Sequence, residues 1–460
     1  MKRIAIIGGG ISGLAAAFTL EQAVRAGAEI KYSLFESGPQ LGGVIRSERV
    51  EGCIIEAGPD SFLTEKPWAA DLCRELGLES ELVGSNDHKR KTYILVHGRL
   101  VPIPDGLMFM VPTKASSVVF SPLFSAATKL QMLRERLFPP HANNADESVA
   151  SFVARHYGAE VVERLADPLL AGVYGGDAHH LSVRAVLPRF AEMEASYGSL
   201  GRAALALRRK ATAQAKARPL FTTLKNGMQQ MVEALAKALS PAAILLGTPV
   251  QLLQRQNGGW LISAGYRTDH FDAAIIATPA PQAAVLLQTA APELARELDY
   301  IPYSSSVTVA LGYHRTVRSS LPAGFGFLVP PLEKKRLLAA TFVHNKFPFR
   351  VPEDRALLRC FLGGTRDEEI LSFEDEAIAL VVKQELAEIL GISETPEFVR
   401  VHRWKNAMAQ YNVGHLDRLV RIEALRGQLP GLFLAGNGHR GIGVPDCVRS
   451  GREAAQAALA

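Results

Sequence analysis

The first apolar run, Ile4-Ala5-Ile6-Ile7, is short, uninterrupted and rich in β-branched residues, which predicts a strand buried on both faces. It stops at Gly8-Gly9-Gly10, and apolar residues then recur at helical spacing through an Ala-rich segment. A second apolar run, Ile30-Lys31-Tyr32-Ser33-Leu34-Phe35, closes a predicted βαβ unit. Further on, the pattern predicts a helix over 67–76 ended by Gly77, and a strand pair over 93–96 and 100–104 around a His97-Gly98 turn. Between about 113 and 215 the apolar spacing becomes three and four residues, clearest at 148–153 and 161–165, and predicts helices. The Ala-rich, basic stretch 201–216 reads as a solvated helix face or a connector. Later come a helix over 228–239, a strand around 248–250, a hairpin through Asn257-Gly258-Gly259-Trp260, and a strand over 272–278 ended by Pro279. A strand over 306–311, a helix over 374–390 and a last strand over 431–436 complete the pattern. No internal repeat is apparent.

The turn after the first strand is Gly8-Gly9-Gly10-Ile11-Ser12-Gly13, a Gly-x-Gly-x-x-Gly fingerprint. Its first glycine serves a tight turn, its second a close backbone approach to a pyrophosphate, and its third the packing of helix on strand. The helix that follows points free N–H groups and a positive dipole end at the phosphates. Glu36 ends the second strand and follows Gly13 by 23 residues, near the spacing of an acid that bonds a ribose hydroxyl. Behind it, Gln40-Leu41-Gly42-Gly43-Val44 and Glu56-Ala57-Gly58-Pro59-Asp60-Ser61 add two turns of small and polar residues that a nicotinamide domain does not need. With the C-terminal Leu434-Ala435-Gly436-Asn437 and Gly441-Ile442-Gly443-Val444-Pro445-Asp446-Cys447, the two ends of the chain read as opposite sides of one flavin site.

Composition limits the other readings. A chain of 460 residues predicts two or three domains, and 48% hydrophobic with 21% charged residues is the balance of a well-cored protein. The net charge of +5 is mild, and Lys and Arg are scattered without a basic block, which argues against nucleic acid. Cys53, Cys73, Cys360 and Cys447 stand far apart, so neither a metal site nor a redox dithiol is expected; Cys447 reads as a small buried residue rather than a covalent flavin link. His179-His180 reads as a surface pair. The N-terminus enters its first strand without a leader pattern, and no apolar run is long enough to span a bilayer, so a cytoplasmic protein is expected. One greasy region, Leu107-Met108-Phe109-Met110-Val111, Val118-Val119-Phe120 and Pro122-Leu123-Phe124, is interspersed with Lys114, Lys129 and Arg134. A membrane-interface face and a helical core are both open there.

The chain resembles the oxygen-dependent protoporphyrinogen/coproporphyrinogen III oxidases of haem synthesis, within the flavin amine oxidase-like superfamily. The stretches that carry the resemblance are Gly8 to Leu14, Gly58-Pro59-Asp60-Ser61-Phe62-Leu63, Gly172-Val173-Tyr174-Gly175-Gly176-Asp177, Arg403-Trp404, Gln410-Tyr411-Asn412-Val413-Gly414-His415 and Gly441-Ile442-Gly443-Val444-Pro445-Asp446-Cys447. The last motif and the Gly-Val-Tyr element are narrow marks; the front fingerprint is broad. The resemblance implies an α/β architecture with α+β elements: a Rossmann-like FAD-binding domain (1–85, 225–290 and 415–460), a mixed-sheet substrate domain (86–104 and 291–414), and an inserted helical domain (105–224) that docks on membranes, at the inner face of the cell membrane. It also implies non-covalent FAD. Gly8, Gly10, Ile11, Ser12 and Gly13 are carried over to its pyrophosphate, and Glu36 and Ser37 to the ribose. Gly42, Gly43, Val44, Gly58, Pro59, Asp60 and Ser61 follow, the last four close to the ring. Val250 falls on the adenine side, Trp404 near the flavin, and Ile442, Gly443 and Val444 at the ring's N1–C2 edge.

The implied reaction takes six electrons from a porphyrinogen in three flavin cycles, with dioxygen as acceptor and peroxide as product. A helix beginning near Val444-Pro445 would aim its positive end at the ring edge that gathers negative charge on reduction. No catalytic base is evident; His415 and His439 are candidates by position alone. Arg90 and Lys91 stand near the place of a propionate-binding Arg in relatives, with solvated charges an equal reading. The absence of an extra basic cluster leans toward the two-propionate substrate, and a homodimer is left open. Competing readings are a flavin amine oxidase, disfavoured because Gly436-Asn437-Gly438-His439-Arg440-Gly441 has no aromatic side chain, a carotenoid-type desaturase, and a non-catalytic carrier on the same scaffold.

Overall fold

A computed structural model of the chain describes residues 1–113, 115–141, 143, 145–210 and 218–460. Lys114, and residues 211–216 of the Ala-rich basic stretch, lie outside the described residues. The protein is mixed α/β and forms two compact units, one of residues 1–85, 219–302 and 417–460, the other of 86–218 and 303–416.

The first unit is built on five strands: β1 (Lys2–Ile7), β2 (Ile30–Phe35), β3 (Ile244–Leu245), β4 (Ala273–Ile276) and β5 (Leu432–Leu434). They pair in the order β3-β2-β1-β4-β5 and every pairing is parallel. A parallel sheet is covered on both faces, and its strands therefore carry the continuous apolar runs seen in the sequence. Helix α1 (Ile11–Arg25) follows β1, and helix α2 (Val444–Leu459) follows β5. Ile4, Ile6, Leu14, Phe18, Ile275, Val448 and Ala455 are all within 4% of full burial in one continuous core. The helix expected over 67–76 spans Trp68–Glu75, and that over 228–239 spans Gln229–Ala238. The predicted hairpin joins Val250–Gln256 to Gly259–Ala264, with Asn257 and Gly258 both at positive φ (49° and 79°) as a two-residue turn of this kind requires.

The second unit holds a seven-stranded sheet in the order Phe398–Ala409, Tyr303–His314, Arg355–Gly363, Ala339–Phe342, Gly326–Leu328, Thr92–Val96 and Arg99–Pro102. It is mixed, because Gly326–Leu328 pairs parallel with Thr92–Val96 while the other pairs are antiparallel. Helix Asp375–Leu390 supplies Ile378, Val382 and Leu386 to its core and ends at Gly391 in the left-handed conformation. The helical part includes Ala126–Arg134, Val149–Tyr157, Asp167–Tyr174, Pro188–Tyr197 and Leu200–Lys210. The greasy region there divides. Met110, Val111, Val118, Leu123 and Phe124 are buried, whereas Phe120 is 85% exposed and Leu137 and Phe138 are each 70% exposed. Among the described residues no helix is long and apolar enough to cross a membrane.

Candidate cofactor site

Because all five strands of the first unit run the same way, their carboxyl ends line one edge of the sheet, where ligands of open α/β sheets bind. Gly8 leaves β1 at φ +109°, and a Cβ there would sit 3.0 Å from the backbone of Ala277, just past β4. Gly13 is tighter still: a Cβ would fall 1.8 Å from the Gly8 carbonyl oxygen. Gly10 caps α1 in an extended conformation with no side-chain hydrogen bond, and a Cβ built on it meets nothing within 4 Å. The turn is thus closed on its protein side and open at the glycine expected to approach a diphosphate.

The Glu36 carboxylate stands beside this turn, accepting the Gly9 N–H (2.7 Å), the Gly38 N–H (2.7 Å) and the Ser37 hydroxyl (3.3 Å). The Thr248 N–H donates to the Glu36 carbonyl (2.8 Å) and that of Gly247 to the Gly38 carbonyl (2.9 Å), which brings the chain two residues before Val250 to the same loop. The glycine doublet is drawn in by the Gly42 N–H bond to the Gly9 carbonyl (2.8 Å); Gly42 and Gly43 have φ of +110° and +58°. Val44 is 40% exposed, and Gly58 packs on its carbonyl so closely that a Cβ would lie 1.8 Å away. Pro59 leads into Asp60 and Ser61. The Ser61 hydroxyl donates to the Asp60 carboxylate (2.7 Å), and the Asp60 carbonyl accepts the Thr223 hydroxyl (2.8 Å).

The C-terminal motif enters the same unit. Gly443 caps α2, again in an extended conformation with no side-chain cap, and Ile442 and Val444 flank it. Helix α2 packs on α1, and a Cβ on Gly451 would be 2.0 Å from the Ser12 carbonyl oxygen. One turn earlier, burial pushes the Cys447 thiol up to about 12, an effect outweighing its hydrogen bond to Ser12. Two helix N-termini, neither capped by a side chain, therefore start from neighbouring parts of one unit, each offering first-turn N–H groups and the positive end of a dipole.

Two features complete the fit to an anionic dinucleotide. The Thr278 hydroxyl, just past β4, is buried without a hydrogen-bond partner among the described residues, and its methyl lies 3.2 Å from the position of a Cβ on Gly8. A buried hydroxyl of this kind calls for a partner. The donors described on this edge are N–H groups and a hydroxyl, and the Glu36 carboxylate stands beside the glycine turn. In the sequence Thr278 reads only as the end of a strand; its polarity becomes informative once β4 is known to lie next to β1.

Trp404, Arg90, Lys91 and His415 belong to the second unit. Trp404 lies opposite Ser306 in the sheet. Arg90 is exposed and 3.6 Å from the Asp87 carboxylate, and the Lys91 ammonium stands 5.8 Å over the Tyr93 ring. The His415 ring stacks on Tyr411 with centroids 4.1 Å apart. His180 is exposed, 3.6 Å from the Asp177 carboxylate. Among the described residues no three His, Cys, Asp or Glu side chains are grouped as metal ligands.

Comparison with known proteins gives the family. Residues 11–459 match the family described as flavin containing amine oxidoreductase. The chain is 34% identical to the coproporphyrinogen III oxidase of Bacillus subtilis (strain 168), over all of this chain and 98% of that one. It is 29% identical to protoporphyrinogen oxidase 2, chloroplastic/mitochondrial, of Arabidopsis thaliana, covering 99% and 93% of the two chains. A crystal structure described as a putative protoporphyrinogen oxidase from Exiguobacterium sp. 255-15 superposes with a TM-score of 0.89 at 30% identity, covering 100% and 98%. Reduced UDP-galactopyranose mutase, at 16% identity and a TM-score of 0.75, shares the fold.

Proposed function

The chain belongs to the flavin-containing amine oxidoreductase family, among its coproporphyrinogen III and protoporphyrinogen oxidases, and on that premise we propose that it oxidises a porphyrinogen with FAD as the immediate electron acceptor. The observation that carries the cofactor reading is the pair of uncapped helix starts at Gly10 and Gly443 in one unit, with Gly451 of α2 against Ser12 of α1 and the Thr278 hydroxyl, without a hydrogen-bond partner among the described residues, close to Gly8. FAD, when bound, supplies the redox chemistry and passes electrons on to dioxygen. The protein's part is to bind and to bias. First-turn N–H groups of α1 and the Thr278 hydroxyl would hold the pyrophosphate, Glu36 a ribose hydroxyl, and the Val250 segment the adenine side. Gly42, Gly43 and Val44, with Gly58, Pro59, Asp60 and Ser61, would bring backbone against the cofactor. The start of α2, with Ile442, Gly443 and Val444, would lie at the ring edge that becomes negative on reduction, and its dipole favours that state.

The bacterial relatives at 29–34% identity carry the coproporphyrinogen III name, which favours the four-propionate substrate over the two-propionate expectation. Arg90 and Lys91, both exposed, are the proposed contacts for substrate carboxylates, Arg90 in exchange for its Asp87 contact. We also propose peripheral contact with a membrane through Phe120, Leu137 and Phe138, supported by their exposure and by the Arg134 guanidinium 5.8 Å over the Phe138 ring. The test of the activity is porphyrin fluorescence with each porphyrinogen, in air and without oxygen. Turnover of coproporphyrinogen III above its spontaneous oxidation, dependent on dioxygen, is expected. Turnover of neither substrate refutes the assignment.

A further inference from the structure

Asp446 is the third residue of α2 and is 3% exposed. The turn that precedes the helix is wrapped on its carboxylate. Gly441 has φ +99°, and a Cβ there would stand 2.3 Å from the Asp446 carboxyl carbon; a Cβ on Gly443 would stand 3.2 Å from Oδ2. No side chain larger than hydrogen fits between the turn and this acid at Gly441, so the carboxylate itself shapes the loop. Its partner is Lys66, whose ammonium lies 2.6 Å from Oδ2 although it is 380 residues away. Lys66 follows the Gly58–Ser61 turn by a few residues. The pair therefore ties the second N-terminal cofactor turn to the C-terminal one. Arg449, one turn along α2, adds weaker support: it is 3.6 Å from Oδ1, lies 4.3 Å over the Trp68 ring, and donates to the Arg440 carbonyl (3.1 Å).

The placement has an electrostatic consequence as well as a mechanical one. A carboxylate in the first turn of a helix opposes the positive end that the N-terminus presents. If α2 faces the electron-accepting edge of a flavin, an unbalanced Asp446 would disfavour the reduced cofactor. A lysine in contact with it restores the balance while leaving the acid in place to hold the turn. Asp446 is buried and Lys66 partly so, and salt therefore screens the pair less than it screens two surface charges.

We propose that Asp446 and Lys66 are a positioning pair: Asp446 holds the Gly441–Gly443 turn, and Lys66 cancels its charge so that the C-terminal helix start keeps its power to stabilise the reduced flavin. The inference rests on the flavin reading above. It is tested on the full-length holoprotein with Lys66→Met, Lys66→Arg, Asp446→Asn and the Lys66→Met/Asp446→Asn double variant. The readouts are the midpoint potential of the bound flavin, by equilibration with redox dyes, and the dissociation constant of FAD, by fluorescence on release.

Lys66→Met lowers the ratio of reduced to oxidised flavin at fixed potential about tenfold, a fall of about 30 mV for a two-electron couple. Lys66→Arg restores it. Asp446→Asn shifts it the opposite way and weakens FAD binding about tenfold, and the double variant returns toward the wild-type potential. Lys66 is 35% exposed at its side chain, so its two variants fold even where Asp446→Asn does not, and they decide the question alone. A wild-type protein that binds flavin while Lys66→Met leaves its potential unmoved overturns this inference and spares the flavin reading. A wild-type protein that binds no flavin overturns both.

Discussion

Replacing Gly451 with alanine puts a methyl 2.0 Å from the Ser12 carbonyl oxygen, where an ordinary contact needs about 3.5 Å. The helices α1 and α2 must then part by more than 1 Å at this point. The obstacle is backbone, which cannot rotate away as a side chain can. Overpacking of this kind costs about 1–3 kcal/mol, and the gain in helix propensity on replacing glycine returns at most about 1 kcal/mol. A net loss of about 0–2 kcal/mol in unfolding free energy is expected, against a gain of up to about 1 kcal/mol where the methyl meets nothing. Because the same movement spreads the two helix starts at Gly10 and Gly443, FAD affinity should fall about tenfold, equivalent to about 1.4 kcal/mol. Gly427→Ala is the control: it is exposed at the end of its helix, and a Cβ there meets nothing within 4 Å. Urea unfolding and FAD titration of both variants are the assay. If Gly451→Ala behaves like Gly427→Ala in both measurements, the two helices do not meet as described and the joint site fails with them.

Other perturbations probe the second unit and the thiols. Glu135 is buried and accepts His156 Nδ1 (3.0 Å), the Ser199 hydroxyl (2.9 Å) and the Leu200 and Gly201 N–H groups (2.8 and 3.1 Å). Burial pushes its pKa up, but these bonds together hold it below the ordinary carboxylate value, so its stabilisation is present above about pH 4.5 and lost as pH falls through the folded value. Glu135→Ala should cost about 3–5 kcal/mol in urea unfolding at pH 7, and a loss under 1 kcal/mol would contradict the network. His344, 5% exposed, has its pKa pushed down to about 4 by burial and then by Arg318, so the neutral ring is the folded form. Stability from this group is full above about pH 6.5 and falls by about 3 kcal/mol by pH 4, a slope that His344→Leu should remove and that a flat difference curve would exclude. All four cysteines are buried, with Cys73 and Cys447 raised to about 12 by burial, so a thiol reagent should modify none in the native protein and all four in denaturant. Flavin should leave completely on acid precipitation; colour retained in the pellet would point to a covalent link.

Local physics made much of the fold readable. Gly8 and Gly391 mark ends that need unusual backbone, Asn257-Gly258 marks a two-residue hairpin, and Ile4 to Ile7 can only be a strand buried on both sides. Where the chain is short or its partner remote, the signal vanishes. Ile244–Leu245 has two residues and gains its identity only from pairing with β2. Phe221–Leu224 is a strand because Phe62–Leu63 and Leu82–Gly84 lie on either side of it, far back in the chain. The greasy region shows the limit of composition: Val118 is wholly buried and Phe120, two residues on, is 85% exposed. Hydrophobicity counts both alike, and only their places within and just past helix Ala115–Val119 separate core from surface.

The site divides along the same line. Glycines, the Glu36 spacing and the C-terminal motif are local features, and each announces a demand on the backbone that the sequence must meet where it stands. Thr278 and the Lys66–Asp446 pair are not local. A threonine after a strand is unremarkable until β4 is set beside β1, and a lysine 380 residues from an aspartate has no periodicity to betray it. On the proposed reading, these groups act through charge and hydrogen bonding rather than through shape. It follows that a close copy of the glycine motifs on another chain can reproduce the cradle for a dinucleotide without reproducing its redox behaviour, since the residues that set the charge around the C-terminal turn are chosen by the tertiary fold. Substitutions at Lys66 and Thr278 should therefore change how the protein holds and reduces its cofactor while leaving the first unit's parallel sheet and its five strand pairings intact.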